Sequence, residues 1–134
     1  RDSLIQRLMI LLGSEATQVA LAVGNCPDKV AGGLDPLVLA QAPNDSRSYD
    51  LAKKALTAGT DSTPTYPAIS SMLQDLLRGR ITEIDYLNGL VKDKAKALQI
   101  PTPVNDEVIQ LIKTMEMGAL KPDPSNIKLL KSIL

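Results

Sequence analysis

The residues able to do chemistry in this chain form a short roster. There is no histidine, so a catalytic triad, an imidazole metal ligand and an imidazole proton relay are all excluded within it. Cys26 is the lone cysteine; it can form neither an internal disulfide nor a thiolate zinc site, and no histidine activates it. What remains is hydroxyls, carboxylates and amines, and the most suggestive of these sit close together. Ser71 stands twelve positions before Glu83, Asp75 lies between them, and Glu15 lies far upstream. A serine hydroxyl can donate to the polar end of a small molecule, and a carboxylate accepts from a diol or a substrate hydroxyl.

Those residues also have a purely structural reading. Ser71 with Gln74 has the spacing of a capping box, and Thr82 with Asp85 has the threonine–aspartate version. Glu83 would then occupy a first helical turn, where the positive end of the helix dipole favours a carboxylate. Glu15 falls on an apolar helix face. Left unpaired there it would be costly, so it requires a cationic or donor partner, with Arg78, Arg80 and Lys53 as candidates.

The elements that must position these groups are helices, because alternating strand patterns are missing and the aromatics are three tyrosines. A first helix is predicted over Ser3 to Val23, capped by Asp2 or Ser3 and stopped by Gly24, with Leu8, Leu12, Val19, Ala22 and Val23 inward and Gly13 weakening its middle. Two short helices, about Pro36 to Ala42 and Ser46 to Ala58, fit between the breaks at Gly32-Gly33 and Pro43-Asn44-Asp45, and a polar loop follows over 59–64. Further helices are expected from Ser71 to near Gly79 and from Glu83 to Leu98, the latter with Ile84, Leu87, Val91, Ala95 and Leu98 inward. Then come Val104 to Met117, burying Val108, Leu111, Ile112 and Met115, and a last helix capped by Ser125 and ending near Ile133. The fold class is therefore all-α, a helical bundle in one domain over residues 1–134.

Fifteen basic and fifteen acidic residues cancel, which removes the basic excess expected of a nucleic-acid or anionic-membrane binder. No apolar run approaches the length of a membrane span, no secretory signal is visible, and the single cysteine suits a reducing, cytoplasmic setting. No metal site is expected. The chain starts at Arg1, which hints at a processed or excised polypeptide.

The string SSMLQDLLRGRITEIDYLNG over 70–89 resembles the signature of the ketopantoate reductases, and the likeness extends through Gln99 to Asn105. Upstream, Glu15 with Val19, Ala20, Ala22 and Gly24 resembles an earlier helix of that family. The resemblance implies a helical C-terminal domain of the kind found in 6-phosphogluconate-dehydrogenase-like enzymes, ordinarily preceded by a Rossmann domain. It implies NADPH-dependent reduction of 2-dehydropantoate to pantoate, with NADP as cofactor and a 2-oxo acid as small-molecule partner. On it, Ser71 matches the serine that binds the substrate's polar end. Glu83 matches the glutamate at the cofactor–substrate junction, assigned to the nicotinamide ribose. Asp75 and Glu15 match acidic positions read as structural or supporting.

Departures from the family matter as much. No G-x-G-x-x-G follows a strand, so the nucleotide-binding half is absent and the chain alone is expected to hold no cofactor. The helix that in this family carries the lysine proton donor would lie upstream of Arg1, so no catalytic residue is assigned here and the chain alone is expected to be inactive. The Asp28 to Ser62 segment is longer than the family's by about twenty residues, room for a lid, an oligomer contact or a species-specific loop. Two other readings stay open: a stand-alone helical interaction or dimerisation module in which Ser71 and Glu83 are caps only, and a domain of a reductase for another 2-oxo acid. A homodimer is expected in which copies cover an apolar face.

Overall fold

The computed structural model describes residues 3–58 and 69–134. Asp2, one candidate cap of the first helix, and the expected polar loop over 59–64 lie outside them. Among the described residues six α-helices and two 3-10 turns follow in order: α1 Ser3–Ala22, a 3-10 turn Ala31–Gly33, α2 Pro36–Gln41, α3 Ser46–Thr57, α4 Ser71–Leu77, α5 Ile84–Ala97, α6 Pro103–Glu116 and a 3-10 segment Pro124–Leu130. Among the described residues there is no strand, only an isolated bridge between Val30 and Leu34. The all-α expectation therefore stands, and among the described residues no helix is long and apolar enough to cross a membrane.

Local chemistry sets most helix limits. Asp35 accepts from the Leu37 amide at 2.8 Å and Asp45 from the Ser48 amide at 2.7 Å, which starts α2 and α3. Gly24, at φ 82°, ends α1 in a left-handed turn with paired bonds from Gly24 N to the Leu21 carbonyl and from Asn25 N to the Ala20 carbonyl. The final segment departs from expectation. Asp123, not Ser125, caps it by accepting from the Ser125 amide at 2.8 Å, and Pro124 at its first position opens a 3-10 rather than an α-helical turn.

α1 runs between two helical pairs, α2 with α3 on one side and α5 with α6 on the other. On the first side Ile10, Leu39, Ala42 and Ala52 form the buried cluster, flanked by Val30, Leu34, Tyr49 and Leu56. The described part of the long 28–62 segment thus supplies three of the four residues of that cluster, Leu39, Ala42 and Ala52. Gly32, at φ 72°, belongs to that packing, since a Cβ there would lie 2.8 Å from the Ala55 carbonyl oxygen. A Cβ on Gly13 would lie 3.3 Å from Leu39, so that glycine lets α2 approach α1.

Being sandwiched changes which face of α1 is buried. Ile10, Leu11, Ser14, Glu15, Thr17 and Val19 are buried, Leu8 and Leu12 are half-buried, and Ala22 and Val23 are exposed. The expected stripe was too apolar because buried polar groups here have partners. Thr17 donates back to the Gly13 carbonyl at 2.7 Å. Similar corrections apply in the second half. On α5, Ile84 and Ala95 are buried, Val91 half-buried, and Leu87 and Leu98 exposed. On α6, Val104, Asn105 and Ile109 are buried, while Val108, Leu111, Ile112 and Met115 are only half-buried.

Polar bonds hold α1 to each side. Ser14 Oγ and Gln18 Nε2 donate to the Ala40 carbonyl, in the last turn of α2, at 3.0 and 3.1 Å. One residue on, Glu15 reaches the other way. Its Oε1 accepts from Val104 N at 2.9 Å, and its Oε2 from Asn105 N at 2.9 Å and Asn105 Nδ2 at 2.7 Å. Glu15 therefore caps α6 from 89 or 90 residues away, a role the adjacent Thr102 side chain does not fill. None of Arg78, Arg80 or Lys53 is its partner; the donors that make its burial tolerable are two backbone amides and one side-chain amide. Asn105 in turn accepts at Oδ1 from Asn88 Nδ2 at 2.8 Å, which ties α5 into the same network.

Replacing Glu15 by alanine leaves buried donors without an acceptor. At about 1–3 kcal/mol for each unsatisfied group, Glu15→Ala should lower unfolding stability by roughly 2–4 kcal/mol. Urea denaturation followed by circular dichroism measures it; a midpoint unchanged from the parent chain contradicts this account of the α1–α6 junction.

Candidate functional site

The junction between the starts of α4 and α5 carries the polar residues singled out from the sequence. Tandem serines precede α4. Ser70, with extended backbone, is the cap and accepts from Leu73 N at 3.3 Å, so the cap lies one residue before the expected Ser71. Gln74 does not reach back to an amide to close a box; its Nε2 donates to the Ile69 carbonyl at 3.0 Å. Ser71 is the first helical residue of α4, and its hydroxyl is released from capping.

A parallel shift occurs at α5. Glu83 sits at the cap position rather than inside the first turn, and its side chain makes no cap bond. Thr82 serves instead, its Oγ1 accepting from Ile84 N at 3.2 Å. Asp85, the expected fourth member of a threonine–aspartate box, turns away and takes a bond from Lys113 Nζ. Capping thus accounts for neither Ser71 nor Glu83.

The two side chains meet. Ser71 Oγ donates to Glu83 Oε1 at 3.1 Å, and both residues are exposed. Asp75 is half-buried in the same short helix, and its carbonyl closes the C-terminal end of α4 by accepting from Arg78 N at 3.1 Å and Arg80 N at 2.8 Å. Glu15 is not in this cluster; it belongs to the α6 cap described above. α4 buries none of its residues. Between it and α6 an apolar groove of about 430 Å³ is lined by Leu73, Leu76, Leu77, Ile112 and Met115, with Pro124 at its rim.

Two functional neighbours escaped the sequence reading, Glu116 and Lys113 at the far end of α6. Glu116 Oε1 accepts from Thr82 N and from Thr82 Oγ1, each at 2.7 Å, and its Oε2 lies 3.3 Å from Lys113 Nζ. Burial pushes the Glu116 carboxyl up, but the Thr82 hydroxyl and amide, joined by Lys113, outweigh it and hold it below its ordinary value. The bond to Asp85, then those to Glu116, hold the Lys113 ammonium above its ordinary value against the opposing effect of burial. The only trace of this in the sequence is the Lys113–Glu116 spacing, which marks a helical ion pair and nothing about Thr82. Among the described residues no group of three or more acidic or cysteine side chains is placed to hold a metal.

The chain belongs to the ketopantoate reductase C-terminal family: the family pattern described as "Ketopantoate reductase PanE/ApbA C terminal" matches residues 1–116. Among curated proteins it is similar to the 2-dehydropantoate 2-reductase of Pyrococcus abyssi, 47% identical over 47 residues that make up 35% of this chain and 16% of that protein. It is similar also to those of Vibrio cholerae, 48% identical over 50 residues (37% of this chain, 17% of that protein), and Escherichia coli O157:H7, 46% over 48 residues (36% and 16%). The chain thus matches about a sixth of the length of these relatives. No solved structure matches it.

Acid should reveal the Glu116 anchor. A carboxylate held below its ordinary value of 4.5 contributes stability that is present above that value and is lost as pH falls through the lowered one. Melting temperature should therefore fall on acidification below about pH 4.5, and less steeply in Glu116→Gln, which has no charge to lose. Parallel melting curves for the two proteins from pH 6 to pH 3, at about half-unit steps, would remove Glu116 from this role.

Proposed function

We propose that the chain is the substrate-side helical part of an NADPH-dependent 2-dehydropantoate 2-reductase. The observation that carries the reading is the 3.1 Å bond from Ser71 Oγ to Glu83 Oε1, inside the family-matched residues 1–116. Ser71, its one proton given to Glu83, would accept at Oγ from a donor at the polar end of the 2-oxo acid, and Glu83 would accept from a ribose hydroxyl of the cofactor. Because the two side chains touch, substrate and cofactor would be held against one another in a fixed relation.

The residues present fit only one edge of a dinucleotide. Glu83 is exposed and free of capping, so its carboxylate can take a further hydrogen bond. No glycine-rich strand–turn–helix in this sequence could cradle the pyrophosphate, which a Rossmann domain would supply. When bound, the nicotinamide supplies the hydride for the substrate ketone. No lysine of this chain matches the family's proton donor, so the role we propose for these residues is binding and orientation. Asp75 and Glu15 support the helices. We place the protein in the cytoplasm, a reducing setting that suits the exposed Cys26 thiol.

Incubated with NADPH and 2-dehydropantoate, the chain alone should give no change in absorbance above background. Turnover that Glu83→Ala abolishes would show that it holds a complete active site. In a full-length protein carrying both domains, Glu83→Ala and Ser71→Ala should each lower kcat/KM about 10- to 100-fold, the equivalent of roughly 1.5–3 kcal/mol for a hydrogen bond to a charged group. Unchanged kinetics in both variants refute the site.

Exposed apolar residues near this junction, Ile81 at 80%, Tyr86 at 82% and Leu90 at 54%, make a face that we read as covered by a second copy of the chain. Sedimentation velocity should show a homodimer that Tyr86→Lys weakens. A monomer at all concentrations argues against it.

A further inference from the structure

Glu83 has an exposed side chain and no cap bond, so its carboxylate goes where the backbone of the α5 start carries it. That backbone is fastened on both sides of Glu83 to the end of α6. Before it, Thr82 donates through its amide and its hydroxyl to one oxygen of Glu116, each bond 2.7 Å long. After it, Asp85 is bound by Lys113, whose ammonium lies 3.3 Å from the second Glu116 oxygen. The Glu116 carboxylate thus divides its oxygens, one for the residue that starts α5 and one for the lysine that holds its first turn. Thr82 is 5% exposed and the Glu116 side chain 8%, so the two Thr82–Glu116 bonds are sheltered from competing water, whereas the Lys113–Asp85 pair is exposed. Thr82 passes the constraint on, since the hydroxyl that donates to Glu116 also accepts from Ile84 N.

We propose that Glu116 is a positioning residue for Glu83: by holding Thr82 through two bonds it fixes the start of α5 at the place where the Glu83 carboxylate meets the Ser71 hydroxyl. Its significance for turnover rests on the reading of Ser71 and Glu83 as the substrate and cofactor junction, but the positioning itself can be measured without turnover. α4 buries no residue, so the site depends more heavily on a well-held α5. The Glu15–Asn105–Asn88 network holds the same hairpin from the other side but bonds no residue adjacent to Glu83.

The side-chain carboxyl carbon of Glu83, observed by NMR in the 134-residue chain labelled at glutamate and assigned through Glu83→Gln, reports the Ser71 bond directly. Ser71→Ala should shift that resonance in the parent chain. In a Glu116→Ala background the response to Ser71→Ala should disappear. In Glu116→Gln, whose carbonyl oxygen still accepts from Thr82, it should be retained. The amide signals of Val104 and Asn105, which report the Glu15 cap, should stay in place throughout and separate local release from loss of the fold. If Glu116→Ala does not fold, Thr82→Val removes one of the two bonds together with the cap to Ile84 N and should reduce the response, while Thr82→Ser keeps both and should retain it. Absence of any response in the parent chain, or a response undiminished by Glu116→Ala or by Thr82→Val, overturns the proposal. A full-length protein that fails to reduce 2-dehydropantoate, while the NMR coupling behaves as described, refutes the reductase reading and leaves the positioning role standing.

Discussion

The buried carboxylate of Glu15 is the constraint around which the helices are arranged. A charge on the inner face of a central helix is tolerable only if its oxygens are filled, and three donors at the start of α6 fill them. The same interaction satisfies amides that α6 would otherwise leave orphaned, because Pro103 carries no amide hydrogen and the Thr102 side chain makes no cap bond. Ser14 and Gln18 do the converse for α2, offering donors to a carbonyl in its last turn. α1 thus presents an acceptor to one helix start and donors to one helix end, which complements the polarity of each neighbour. Swapping those two faces would leave both helices with unmatched ends, so the order of packing around α1 follows from electrostatics as well as from apolar area.

From that arrangement the site inherits its geometry. α6 is placed by Glu15 at its start, and its far end carries Glu116 and Lys113 to the start of α5. α5 then carries Glu83, and Glu83 receives the hydroxyl of Ser71 from a helix with no buried residue of its own. The chain of dependence runs from the most buried polar groups outward to an exposed pair. An exposed hydrogen bond between two side chains contributes little stability by itself. Its value in a binding site is orientation, which depends on how well each partner's backbone is held.

How legible all this was varies with range along the chain. The all-α class and the α1, α2, α3, α5 and α6 limits could be read to within a residue or two, because breakers such as Gly24, Gly32-Gly33 and Pro43-Asn44-Asp45 act on their immediate neighbours. The inward faces were read less well. A hydrophobic stripe assumes one buried side, whereas α1 is covered on two, so Ser14, Glu15 and Thr17 are buried while Val23 is half exposed. The caps at Ser71 and Ser125 were each misplaced, because neighbouring residues compete for one helix start and backbone conformation decides the winner.

By itself, then, the sequence determined the all-α class, most helix limits, the family resemblance carried by residues 15–24, 70–89 and 99–105, and the candidacy of Ser71, Glu83, Asp75 and Glu15. Tertiary structure alone decided who bonds whom. Nothing near Glu15 names the amides of Val104 and Asn105, and nothing near Thr82 names Glu116, 34 residues on. The physical reason is that helix propensity and capping are settled within a turn or so of chain, whereas a buried polar group must take whatever donor or acceptor the packing of helices brings to it.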